Sequence, residues 1–144
     1  MSRRQVVMTA PRLAEPAVRL LEAAHCSIHY MPPYPPPDAI AALVREVRAD
    51  AILTRQGQVT AEVMDASDRL VIVARHGVGV DDVDLAAAAV RGLMVTRAPG
   101  SNTDAVAEHT IAMVLALAKQ FGPLGASIAD GAWRGGATKV RDIA

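Results

Sequence analysis

LVIVARHGVGVDDVD, residues 70–84, decides how this chain folds. It opens with five apolar residues in a row, 70–74, as expected for a parallel strand buried on both faces. Arg75, His76 and a Gly77-x-Gly79 turn follow, then a helical stretch at 85–91 closed by Gly92. Strand, glycine turn and helix make up one half of a βαβ unit. The same alternation recurs on both sides of this stretch. Upstream, 5–10 reads as a strand, 14–24 as an amphipathic helix and 27–31 as a weaker strand. The proline run 32–37 (PPYPPP) is a rigid extended connection, and Asp38 is expected to N-cap a helix over 39–47. A strand at 51–54 and a short helix at 60–66 lead back to residue 70, and a fifth strand lies at 93–96. About five strands alternating with helices predict an α/β fold, an open parallel sheet with right-handed crossovers. Ligands of such sheets bind beyond the carboxyl ends of the strands. The loops that matter are therefore 10–12, 55–57, 75–82 and 97–103.

After residue 100 the pattern changes. Ser101-Asn-Thr-Asp104 has the spacing of a capping box, and a long helix is expected over 103–121. Its middle, TIAMVLALA at 110–118, has almost no polar face, so it is expected to be buried on all sides. One domain covers only one side of it, and the rest requires another domain or subunit. A short helix at 124–130 and a polar end complete the chain. The expected division is an α/β domain at 1–100 and a separate segment at 101–144.

Composition narrows the function. Hydrophobic residues make up 51% of the chain and aromatics 3%, so the core is aliphatic. Fifteen basic and fifteen acidic residues cancel, which argues against nucleic acid or a charged membrane surface as partner. The single cysteine, Cys26, excludes an internal disulfide, and the four histidines lack the spacing of a metal pair, so no metal site is expected. No apolar run is long enough for a membrane span, and a cytoplasmic location is the expectation.

The glycine turn is a poor dinucleotide loop. A Gly-x-Gly-x-x-Gly fingerprint would need glycine where Asp82 stands, and no acid occurs about twenty residues later to take a ribose hydroxyl. Two readings remain open. Gly77, Val78 and Gly79 can present successive backbone amides to a small anion, with Arg55 and Arg75 at adjacent strand ends. Alternatively the glycines only turn the chain and the arginines are solvated.

The stretch RHGVGVDDVDLAAAAVRGLMVTRAPGSNTDAVAEHTIAMVLALA (75–118) resembles the amino-terminal part of the D-isomer-specific 2-hydroxyacid dehydrogenases, particularly the phosphoglycerate dehydrogenase branch. The residues that carry the resemblance are Gly77, Gly79, Val80, Asp81, Asp84, Gly92, Val95, Pro99, Gly100, Asn102, Thr103, Val106, Ala107, Glu108 and His109. A weaker match at 52–63 extends it upstream. Asp82 and Arg97 depart from the pattern, each standing where asparagine is usual. The resemblance implies a flavodoxin-like substrate domain at 1–100, expected to be incomplete, followed at 101–144 by an interdomain linker or dimerisation helix and the start of a nucleotide-binding domain. It implies that the amides around Val78 and Gly79 hold the carboxylate of a 2-oxo or 2-hydroxy acid, with Arg55 and Arg75 beside it. Asn102 would be an active-site residue, Thr103 would approach an NAD cofactor, and the helix would build a homodimer. Glu108 and His109 point about 100° apart on a helix and are expected to be structural.

The implied activity is NAD-dependent hydride transfer in a parent enzyme. The family's dinucleotide fingerprint and its catalytic arginine, glutamate and histidine would lie beyond residue 144. The chain is therefore expected to be a truncated piece or a short relative, inactive by itself. The alternative is a non-catalytic module that binds a small carboxylate or dimerises. A flavodoxin-like signalling domain would need an acidic cluster after the first strand, where Thr9-Ala-Pro-Arg12 stands.

Overall fold

A computed structural model describes residues 3–132 and 140–142. The remainder of the polar end, including 133–139, lies outside the described residues. The chain divides into two compact units, one running to Ser101 and the other beginning at Asn102.

The first unit holds five strands: β1 (Arg4–Met8), β2 (Cys26–Tyr30), β3 (Ala51–Thr54), β4 (Ile72–Arg75) and β5 (Met94–Thr96). They form one parallel sheet in the order β2-β1-β3-β4-β5. Four helices connect them: α1 (Glu15–Ala23), α2 (Pro37–Val47), α3 (Ala61–Met64) and α4 (Leu85–Val90). The register aligns Val7 with Ile52, Ile52 with Val73 and Val73 with Val95. These side chains share one face, and Val7, Ile52 and Val73 are fully buried there. Ile40 and Val44 of α2, Val63 and Met64 of α3, and Ala87 and Ala88 of α4 pack into the same core. Each such aliphatic side chain contributes about 1.5–3 kcal/mol on burial.

The strand order reverses after β2, and right-handed crossovers then put α1 on the opposite face from the other three helices. Within this unit that face is thinly covered. A groove of 280 Å³ opens over it, lined mainly by Val6, Leu21, Cys26, Leu53 and Ile72. Val71 and Met94 nearby are more than half exposed.

Several boundaries differ from the sequence reading. Asp38 does not cap α2, because the helix starts at Pro37 with Pro36 at the N-cap and no side-chain cap bond. Proline at the first position presets the helical φ, and Asp38 in the first turn still meets the positive end of the helix dipole. β4 is shifted to include Arg75. Gly92 takes φ +65° just past α4, as a helix-ending glycine does.

The second unit contains α5 (Thr103–Ala118) and α6 (Phe121–Ala129). The expected capping box does not form. Asn102 occupies the N-cap, and no side chain caps the helix. The expected continuous helix to 121 breaks earlier, at Gln120, whose φ is +55°. Pro123 then sits in the first turn of α6, where its missing N–H costs no helical bond. No residue of α5 is buried in this chain, so the burial expected on all sides is not provided here. Ile111, Met113, Val114, Leu115 and Leu117 are all exposed. Among the described residues no single helix is long and apolar enough to cross a membrane.

Candidate functional site

The carboxyl edge of the sheet is assembled around one buried hydroxyl. Thr9, immediately after β1, is fully buried. Its Oγ1 accepts from the backbone N–H of Arg55 at 3.0 Å and of Gln56 at 3.3 Å. The loop that follows β3 is thereby tied to the end of β1. Gly57 completes that loop at φ +77°, packed so closely that a Cβ would lie 2.5 Å from the Pro35 carbonyl oxygen.

The loop after β4 is fixed through its carbonyls. The Gly77 oxygen accepts from Ala98 N–H at 2.8 Å. The Gly79 oxygen accepts from Arg75 Nε at 2.9 Å, and Arg97 Nη1 lies 3.5 Å from the Val78 oxygen. In a trans peptide the N–H points away from its own C=O. Holding the oxygens of residues 77, 78 and 79 therefore directs the N–H groups of Val78, Gly79 and Val80 the other way. Among the described residues these three amides donate to nothing. Gly77 makes the turn possible at φ +153°, a region L-residues rarely enter. On the far side the loop is stitched to Val59, which donates to Asp82 O at 2.8 Å and accepts from Asp84 N–H at 3.0 Å. Asp84 then caps α4 through Ala87 N–H at 2.8 Å.

The two arginines at the strand ends differ. Arg75 is largely buried, and its Nη1 also donates to the carbonyls of Thr54 at 3.2 Å and Arg55 at 2.8 Å. It clamps the glycine loop to the end of β3. The Arg55 guanidinium is exposed and has no partner among the described residues. Asp82 turns inward, 3.1 Å from Arg75 Nε. That N–H is aimed at Gly79, however, so neither carboxylate oxygen of Asp82 accepts a hydrogen bond. An inward carboxylate at this position does not fit a dinucleotide pyrophosphate. Arg97 is exposed and reaches over the loop, a contact its sequence position alone did not reveal.

Arg55, Arg75, Gly77, Val78 and Gly79 thus come together on the first unit. Asn102 and Thr103 open the second unit, at the N-cap and first residue of α5. Glu108 and His109 lie side by side on α5, both exposed. Among the described residues no group of three or more His, Cys, Asp or Glu side chains could hold a metal ion. The sequence reading did not single out Arg12. It lines a cleft of 330 Å³ with Arg55 at the same edge of the sheet.

The first unit is a doubly wound parallel domain that carries a loop of unengaged backbone amides and two arginines at the carboxyl edge of its sheet. Residues 6–140 match the family described as D-isomer specific 2-hydroxyacid dehydrogenase, catalytic domain, and the chain belongs to that family. It is 46% identical over 93 residues to a D-3-phosphoglycerate dehydrogenase of Archaeoglobus fulgidus, covering 63% of this chain and 18% of that protein. A chloroplastic D-3-phosphoglycerate dehydrogenase of Arabidopsis thaliana is 38% identical over 132 residues, covering 88% of this chain and 20% of the relative. Among solved structures, a Thermus thermophilus protein superposes with a TM-score of 0.80 at 31% identity, over 94% of this chain and 43% of the other. The NAD+-bound 3-phosphoglycerate dehydrogenase of Entamoeba histolytica gives 0.71 at 25% identity, over 84% and 41%. The chain thus spans about a fifth of these curated relatives and less than half of these solved chains.

Proposed function

We propose that this chain is the substrate-binding part of a cytoplasmic, NAD-dependent D-2-hydroxyacid dehydrogenase of the phosphoglycerate dehydrogenase type. The observation that carries this reading is the set of unengaged amides at Val78, Gly79 and Val80. They take the carboxylate of a 2-hydroxy or 2-oxo acid, and Arg75 holds the loop that presents them. A carboxylate that accepts several backbone N–H bonds is held as an ion in a fixed orientation. Fixing it orients the neighbouring carbon, from which a hydride leaves or to which it is added. Arg55 supplies a second cation at the same edge. Asn102 meets the substrate, and Thr103 approaches the nicotinamide cofactor, which supplies the hydride acceptor when bound. The apolar surface of α5 pairs the enzyme as a homodimer.

The test is a titration of the labelled chain with D-glycerate, followed by amide NMR. The expected result is saturable shifts of Val78, Gly79 and Val80. Shifts confined to other loops, or none up to high millimolar ligand, would reject the reading.

A further inference from the structure

We propose, on the substrate reading above, that Asp82 and Arg97 are a compensating charge pair that sets how strongly the glycine loop holds a carboxylate. Both stand where asparagine is usual in the family pattern, so one neutral side chain is replaced by an anion and the other by a cation. The fold brings both charges to the carbonyl side of the same loop. Asp82 Oδ1 lies 3.1 Å from Arg75 Nε, whose N–H donates to Gly79 O at 2.9 Å. Arg97 Nη1 lies 3.5 Å from Val78 O. The peptide group that Arg97 approaches ends in the Gly79 N–H, and the one held by Arg75 ends in the Val80 N–H. Both N–H groups belong to the set that takes the carboxylate.

Asp82 opposes an anion at the loop. Its carboxylate cancels the charge of Arg75, and the two side chains are only 20% and 19% exposed, so salt screens them weakly. The two contacts to Arg75 Nε and one peptide plane put that carboxylate within about 10 Å of the Val80 N–H, a range over which buried charges still interact. Because the Nε–H is committed to Gly79, the Asp82 carboxylate receives no hydrogen bond from the protein and acts on the loop through its charge. Arg97 returns what Asp82 removes. Its guanidinium makes no ion pair among the described residues, so its charge stays available at the loop. Arg75, Asp82 and Arg97 together carry one net positive charge, the same as one arginine with two asparagines. The exposed Asp81 carboxylate also lies beside Gly79, but Asp81 belongs to the usual pattern and is common to both cases. The buried anion and the exposed cation differ in one respect: salt weakens the cation's contribution first.

The experiment is a double-mutant cycle on the 144-residue chain, read by calorimetric and amide NMR titration with D-glycerate at about 10 mM and about 150 mM salt. At low salt Asp82→Asn should bind glycerate about fivefold tighter than the parent, and Arg97→Asn about threefold weaker. The double variant should return to within about twofold of the parent. Arg97→Lys keeps the charge and should also bind within about twofold. Raising the salt should shrink the effect of Arg97→Asn and leave most of that of Asp82→Asn. Asp82→Ser, a second uncharged variant, should change affinity in the same direction as Asp82→Asn. If folded Asp82→Asn binds no tighter, if the two uncharged variants act in opposite directions, or if the double variant stays far from the parent, the pair is overturned, while shifts of Val78, Gly79 and Val80 in the parent still uphold the amide loop. If glycerate binds neither the parent nor any variant, both readings fail. Amide spectra establish that each variant is folded.

Discussion

Gly77 and Gly79 look equivalent in the sequence, yet the structure separates them, and a pair of alanine variants tests the separation. Gly77 sits at φ +153°, but a Cβ there would meet nothing closer than Arg75 Cζ at 3.9 Å. The cost of Gly77→Ala is therefore conformational and not steric. Holding an L-residue in such a region costs about 1–3 kcal/mol, partly offset by about 0.4–1 kcal/mol from the stiffer unfolded chain. The net expectation is a loss of about 1–2 kcal/mol, or a fall of about 4–16 °C in the Tm of a domain this size. Gly79 has no such dihedral, and its Cβ would lie 3.3 Å from Asp81 Oδ2, at the end of an exposed side chain that can move aside. Gly79→Ala should thus fold as stably as the parent, within about 0.5 kcal/mol. Its methyl group nevertheless stands among the unengaged amides, so carboxylate affinity should fall severalfold. Urea unfolding followed by circular dichroism measures the first quantity, and titration with D-glycerate measures the second. If Gly77→Ala matched the parent in stability while Gly79→Ala unfolded easily, the assigned loop geometry would be wrong. If Gly79→Ala kept full affinity, the amides would not be the anion site.

Other perturbations follow from the same edge of the sheet. Thr9→Val keeps the shape of the buried side chain but removes the acceptor for two backbone N–H groups, and should cost about 2 kcal/mol in urea unfolding. Arg75→Ala should lower both stability and carboxylate affinity because three carbonyls lose their donor, whereas Arg55→Ala should lower only the affinity; the two assays together separate the roles. Burial alone would raise the pKa of Asp50, but the Gln5 N–H at 2.7 Å and the Arg69 guanidinium outweigh it and hold the carboxyl below its usual range. Its stabilisation is therefore fully present above the unfolded-state pKa of about 3.9 and is lost as pH falls through the lower folded value. The urea midpoint should drop as the pH falls below about 4, and Asp50→Asn should flatten that drop. Sedimentation velocity should reveal self-association of the chain at high concentration, and Leu117→Lys together with Ile111→Lys should abolish it, because α5 exposes its apolar residues.

The fold was legible because its signal is periodic and redundant. Short strand-like runs, aliphatic in all but the weaker β2, alternate with helical segments, and this alternation specifies a parallel sheet without knowledge of any single contact. The boundaries were less legible where two signals competed. Asp38 carries a capping side chain, but the prolines before it fix the backbone, and Pro36 takes the cap position. The long helix was expected to run to 121, yet Pro123 is acceptable in a first turn, and the chain bends at Gln120 instead. The apolar character of α5 was plain, but the surfaces that would cover it are not part of its own unit's sequence pattern.

The candidate site was legible in its residue types and illegible in its wiring. Arg55 and Arg75 read alike, as cations at neighbouring strand ends. Burial and hydrogen bonding divide them: Arg75 uses Nε and Nη1 to hold three carbonyls, while Arg55 keeps its guanidinium unengaged. The loop 10–12 was expected to matter, but Arg12 itself was assigned no role, because a lone arginine in a Pro-Arg-Leu loop carries no local signature. Its significance lies in sharing a cleft with a residue 43 positions away.

That wiring also explains why a glycine turn after a strand need not serve a nucleotide. A phosphate loop of that kind relies on a helix N-terminus and on a third glycine for close helix packing. Here the third position is Asp82, turned inward toward Arg75, and the following helix starts only at Leu85. The positive field at the loop therefore comes from elsewhere, namely backbone amides directed outward because arginines and Ala98 hold their carbonyls on the other side. Such a surface is small and offers about three donors. The inward aspartate and the carbonyl-holding arginine act together: removing Asp82 would leave Arg75 without its counter-charge, and removing Arg75 would release the loop and leave the Asp82 carboxylate without its cation.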